Sequence, residues 1–138
     1  MSLIAVTVEI GADKNIHKPD PDPAEAKPGD YLIFVVENLD DETHTVSIPP
    51  IDFKRKKDDS PILPIHLFAV DSAEIEPGGS GFVLLHIKEK GHFKSIKAST
   101  KKKKAKKKKA AAPKRFAYKY SVFASDLDTL DPEIGINN

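Results

Sequence analysis

The stretch KPGDYLIFVVENLDDETHTVSI, residues 27–48, decides how the chain is read. It opens on a glycine-bearing turn and runs into YLIFVVEN, which is apolar on both faces. A strand of that kind belongs in the interior of a layered sheet, because only a central strand buries both faces. An acidic break, LDDE, follows Asn38. HTVSI then alternates, with His44, Val46 and Ile48 on one face and Thr45 and Ser47 on the other. Two strands joined by a tight acidic crossing are therefore predicted.

The flanks carry the same pattern. Ile4, Val6, Val8 and Ile10 alternate with Ala5, Thr7 and Glu9, which predicts a first strand with one buried face. The connection HKPDPDPAEAKPGD holds Pro19, Pro21, Pro23 and Pro28 and is read as irregular, with DPAEA able to open a helical turn. PPIDFKRKKDDSPILP is a loop and IHLFAV a strand. EPGGSG supplies glycine turns and GFVLLHIK a well-marked strand, with His86 on the face opposite Val83, Leu85 and Ile87. In RFAYKYSVF, residues Phe116, Tyr118, Tyr120 and Val122 share one face. The end, ASDLDTLDPEIGINN, reads as loop with a short last strand. Short strands separated by proline and glycine turns predict an all-β sandwich.

Composition narrows the function classes. A chain of 138 residues suits one domain, 1–138, with its own core. It holds no cysteine, and its single methionine is Met1, which removes disulfides, thiolate metal sites and a cysteine nucleophile. No apolar run approaches the roughly 20 residues needed to span a bilayer. The amino terminus reads as a strand without a basic, apolar leader, so no secretory signal is expected, and a processed extracytoplasmic protein fits equally well. GxSxG, GxxxxGK[ST] and HExxH patterns are absent, so no enzyme is expected. The acidic pairs Asp40–Asp41, Asp58–Asp59 and Asp126/Asp128 read as solvated turn residues. Ser125, Asp126, Asp128, Asp131 and Glu133 offer oxygen ligands but lack the central glycine of an EF-hand loop.

The formal net charge of +1 hides a split. Between Lys94 and Arg115 stand twelve basic residues and no acidic one, which leaves the remainder at −11. Eight of the twelve are Lys101, Lys102, Lys103, Lys104, Lys106, Lys107, Lys108 and Lys109. Such a run repels itself and buries nothing, so residues 92–117 read as a lysine-rich insertion in a hairpin. The partners its charge predicts through residues 94–115 are a polyanion, an anionic membrane surface or an acidic protein. A solvated loop neutralised by the acidic body is the alternative. Interleaved aromatics are missing, so base stacking is not indicated.

In order and spacing, KPGDYLIFVVENLDDETHTVSI, EPGGSGFVLLHI and KEKG…YKYSV resemble the cupredoxin fold of blue copper proteins. The resemblance covers most of the chain apart from residues 92–117. It implies an antiparallel Greek-key sandwich of about seven strands, with the lysine-rich insertion as a basic hairpin. It also implies where copper ligands belong. His44 matches the first imidazole, but Val122 stands where the cysteine is expected and Ser125 where the second imidazole is expected. The following loop, DLDTL, offers no axial methionine. The expectation is a non-catalytic binding or accessory module without a blue copper centre and without a cofactor. The alternative is copper or another divalent metal held by histidines, drawn from His17, His44, His66, His86 and His92.

Overall fold

A computed structural model of the chain describes residues 2–55, 63–67, 70–93 and 115–137. Ten strands run in the order β1 (Leu3–Ile10), β2 (Ala24–Ala26), β3 (Tyr31–Asn38), β4 (His44–Ser47), β5 (Lys54–Arg55), β6 (Ser72–Ile75), β7 (Ser80–His86), β8 (Arg115–Lys119), β9 (Phe123–Ala124) and β10 (Glu133–Asn137). A 3-10 turn at Pro50–Asp52 precedes β5. The strands form three sheets ordered β1-β3-β7, β2-β10-β8-β5 and β6-β4-β9. The all-β sandwich holds, with more and shorter strands than the seven expected.

The sheets are mixed, not purely antiparallel. β1 and β3 pair in parallel from Leu3↔Tyr31 to Ile10↔Asn38. Parallel neighbours need a crossover. Here the crossover is residues 11–30, the segment read as irregular, which places β2 alongside β10 in a second parallel pair. Between Pro23 and Pro28, Ala24 and Ala26 turn their methyls into the core, so a three-residue ladder forms. No helical turn opens there. Among its described residues, IHLFAV contributes only isolated bridges, Ile65 to Ile87 just past β7 and Val70 to Leu84 within it. The strand read through RFAYKYSVF is broken after Lys119, and Val122 bridges back to Leu130 before β9 begins.

Period-two patterning sets which side chains go inward. Val6, Val8 and Ile10, Leu32, Phe34 and Val36, and Val83 and Leu85 are all buried and join one core. They meet Val46, Phe116, Tyr118, Ile134 and Ile136 from the other strands. Tyr120 lies in the middle, stacked on Phe53 at 5.1 Å between ring centroids and tilted against Phe34 at 5.4 Å. Phe93 and Phe116, near the two ends of the 92–117 segment, are both buried, with their rings 5.6 Å apart. Among the described residues, no helix is long and apolar enough to cross a membrane.

Candidate functional site

β3 fixes two ends of the molecule. Its eight residues rise about 3.3 Å each, so Tyr31 and Asn38 lie roughly 23 Å apart, one at each end. The histidines of the chain sort between these ends.

At the Asn38 end, the break LDDE is organised by two buried side chains. The Asn38 carboxamide donates to Glu42 O at 2.8 Å and to Ile75 O at 2.9 Å, and its oxygen accepts from Asp40 N at 3.0 Å. Gly78, at φ +75°, lets the PGG turn close on the same residue, donating to Asn38 O at 2.7 Å. Asp40 is thereby turned inward. One oxygen accepts from His44 Nε2 at 2.8 Å, and the other from Lys14 Nζ at 3.0 Å and Asp41 N at 2.8 Å. His44, and then Lys14, hold the Asp40 carboxyl well below the usual carboxylate range, while Asp40 and Asp41 raise the Lys14 ammonium. An ionised carboxylate only accepts, so Nε2 carries the ring proton. Nδ1 is buried and has no hydrogen-bond partner among the described residues.

This end does not fit blue copper, which needs two imidazoles and a thiolate near one plane. Val122 is buried and apolar. Ser125, where the resemblance expects the second imidazole, accepts at Oγ from Thr45 N at 2.9 Å.

His17 lies on the same side of the fold, in a surface cluster. Its Nδ1 is 2.9 Å from Glu9 Oε1, and its Nε2 is 3.1 and 3.2 Å from the Asp13 oxygens. Glu9, and then Asp13, raise the imidazole above its ordinary 6.5. A raised folded pKa means that the folded chain holds the proton more tightly, so this stabilisation is complete below about pH 6.5. It fades as pH rises through the raised value. His17→Gln is therefore expected to lower Tm by a few degrees at pH 5.5, with the two melting curves converging near pH 9. The exposure of all three groups keeps the effect small.

The other end gathers three histidines. His66 N donates to His86 O at 2.9 Å beside the Ile65↔Ile87 bridge, so His66 and His86 are cross-strand neighbours. Their rings lie 4.7 Å apart, and the other face of His86 stacks on Tyr31 at 4.2 Å and 6°. Lys88 N bonds Pro64 O at 2.8 Å and Gly29 N bonds Lys88 O at 3.0 Å, which ties both flanks to the PGD turn. Glu89 Oε2 comes within 3.7 Å of His86 Nε2. The ligand atoms of His66, His86 and Glu89 all lie within 4.8 Å of one another. His92 follows on the next turn, and burial, then Lys88 and His66, hold its imidazole below 6.5. Of the five histidines weighed from sequence, the fold brings His66 and His86 together with His92 near them, and leaves His17 and His44 apart. Glu89 was missed.

The remaining sequence candidates do not converge. Asp131 pairs with Lys119 at 3.2 Å and Ser125 serves Thr45, so the ASDLDTLDPE oxygens are divided among separate tasks. An open cleft of about 450 Å³ between β5 and β8 mixes Lys54, Arg55 and Lys119 with Asp52 and Asp131 and selects no one charge. The eight lysines from Lys101 to Lys109, and most of the expected hairpin, lie outside the described residues.

No family model matches the chain, and no curated protein matches it in sequence. Among solved structures it is similar to the CupB2 chaperone of Pseudomonas aeruginosa, with TM-score 0.54, 8% identity, 86% of this chain and 53% of that chain covered. It is also similar to the McoA multicopper oxidase of Aquifex aeolicus, at TM-score 0.48 and 11% identity over 99% of this chain and 29% of that one. A third likeness is to Fet3p, a multicopper oxidase that functions in iron import, at TM-score 0.40 and 8% identity over 99% and 28%. The chain thus spans about half of the chaperone and under a third of each oxidase. At 8% identity the likeness to the chaperone concerns the fold, an all-β sandwich.

Proposed function

We propose that the protein is a non-catalytic, cupredoxin-like binding module whose copper end has become a structural node. The observation that carries this reading is the engagement of Asp40 by His44, Lys14 and Asp41 N, all at 3.0 Å or less. That arrangement spends the retained imidazole on holding the β3–β4 crossing, and Val122 and Ser125 occupy the positions that thiolate and second imidazole take in the family. Antiparallel pairing of β3 with β7 and of β4 with β6 is in keeping with the sandwich that the resemblance implies. In this reading His44→Gln, which keeps a donor for Asp40, lowers Tm and leaves uptake of Cu(II) by the purified chain unchanged. Loss of Cu(II) uptake in that variant would contradict it.

A second reading concerns what the module binds. The separation of a −11 body from a segment with twelve basic residues favours contact with polyanions through Lys101–Lys109. Neutralising phosphates or sulfates releases counterions, so affinity falls steeply with salt and reads no sequence. On heparin at low salt, the full chain is expected to be retained and a chain lacking residues 98–112 to flow through. Equal retention of the two sinks this reading.

A further inference from the structure

We propose that His66, His86 and Glu89 form a binding site for a borderline divalent transition metal, Zn(II), Cu(II) or Ni(II), at the end of the sandwich opposite His44. This goes beyond the binding-module reading and does not depend on it. The site is built by backbone pairing. Leu3, Tyr31, His86 and His66 form one row across neighbouring strands, through Leu3↔Tyr31, Tyr31↔His86 and the bond from His66 N to His86 O. Side chains directly opposite each other on one face sit with Cβ atoms about 4.5–5.5 Å apart, within reach of a common ion. Stacking on Tyr31 holds the His86 ring plane, as an orienting partner holds a ligand imidazole.

One polar atom of this row lacks the contact that a purely structural role supplies. His86 Nε2 is buried and has no hydrogen-bond partner among the described residues. Its 3.7 Å separation from Glu89 Oε2 is too long for a hydrogen bond. It is close to the spacing of ligands around a shared ion. With metal–ligand bonds of about 2.0–2.1 Å, tetrahedral neighbours lie roughly 3.3–3.4 Å apart. The Glu89 side chain, 65% exposed, is free to swing that remaining distance. It lies over Gly29, where an added Cβ would come within 3.1 Å of Glu89 Oε1. Two imidazoles and one carboxylate suit Zn(II), Cu(II) and Ni(II), and supply too few oxygens for Ca(II) or Mg(II). The fourth position is left to water.

Asp40, Glu42 and His44 also bring three ligand atoms within 4.8 Å. Both Asp40 oxygens there already accept from His44 and Lys14, so a cation would have to displace an ammonium. Among the described residues, the ligand atoms at the His66 end have no such competitor.

Calorimetric titration of the full chain with Zn(II) tests the site. One equivalent is expected to bind saturably at micromolar metal. His66→Ala and His86→Ala should each weaken binding at least about tenfold, the lower limit for losing even an outer partner of a metal. Glu89→Gln, exposed and harmless to folding, should weaken it in the same direction, and His44→Gln should leave it unchanged. No saturable uptake by the unaltered chain, or uptake unaffected in the His66/His86 double variant, overturns the proposal. If the alanine variants do not fold, the ring resonances of the unaltered chain decide. Zn(II) must shift His66 and His86, and its failure to do so overturns the proposal equally. Zn(II) uptake that is lost in His44→Gln alone contradicts both this site and the structural role of His44.

Discussion

Asn38→Ala is expected to lower the unfolding free energy by about 3 kcal/mol, from three hydrogen bonds at roughly 1 kcal/mol each. Asn38 is fully buried, and its one carboxamide serves three segments: the Glu42 carbonyl, the Ile75 carbonyl of β6 and the Asp40 amide. Removing it leaves the Ile75 carbonyl and the Asp40 amide buried without that partner, which is why the cost should exceed that of an ordinary surface asparagine. The effect should reach His44, because Asp40 is aimed at that ring by the bond from its own amide to Asn38 Oδ1. Urea unfolding checks both points. The midpoint should fall with little change in the slope, and the His44 ring resonance should move. A loss under 1 kcal/mol would mean that the crossing is held by its backbone alone.

Phe34→Ala should cost about 3–5 kcal/mol, the range for truncating a buried phenylalanine. Phe34 has no exposed surface and lies on the inner face of the central strand, against Tyr120. Tyr120 is itself stacked on Phe53, so the lost ring opens a cavity in the middle of the sandwich where rigid aromatics cannot collapse. Tyr120→Phe should act in the opposite direction. The hydroxyl of Tyr120 is buried with no hydrogen-bond partner among the described residues, and burial raises its pKa. Deleting it removes a desolvated polar atom and keeps the ring, so a gain of about 1 kcal/mol is expected. Thermal melts of the two variants should therefore move apart on either side of the unaltered chain. A Tyr120→Phe variant less stable than its parent would reveal a partner for that hydroxyl.

The layers of this fold were legible because period-two burial is local. The faces read for residues 4–10, 44–48 and 116–122 are the faces that are buried. Parallel pairing was not legible, since it is set by where residues 11–30 cross the sandwich, and Ala24–Ala26 has no pattern strong enough to outweigh the prolines around it. The strand read at IHLFAV likewise depends on β7 and Ile87 for its bridges and carries little ladder of its own. The burial of His44 was legible from its place on an alternating apolar face. Its partner Asp40 read as a solvated turn residue, because nothing in LDDE says that Asn38 turns that carboxylate inward. The pair His66 and His86 was hidden for a physical reason. Twenty residues separate them, and only the register of two strands makes them neighbours. The outward alternation of His86 was visible, but that face carries Tyr31 and His66 as well as solvent. Glu89 sits in a charged turn like many others, with no spacing signal to mark it.

The two proposals together divide the ends of the molecule: the imidazole of His44 holds the β3–β4 crossing, and the pair at His66 and His86 binds metal. Substoichiometric Cu(II), added while the histidine ring resonances are followed by NMR, tests this division most directly, because paramagnetic broadening falls off steeply with distance and the two ends lie roughly 23 Å apart along β3. The account predicts that His66 and His86 disappear first while His44 stays sharp. Broadening of His44 ahead of both, with His66 and His86 intact, would contradict it.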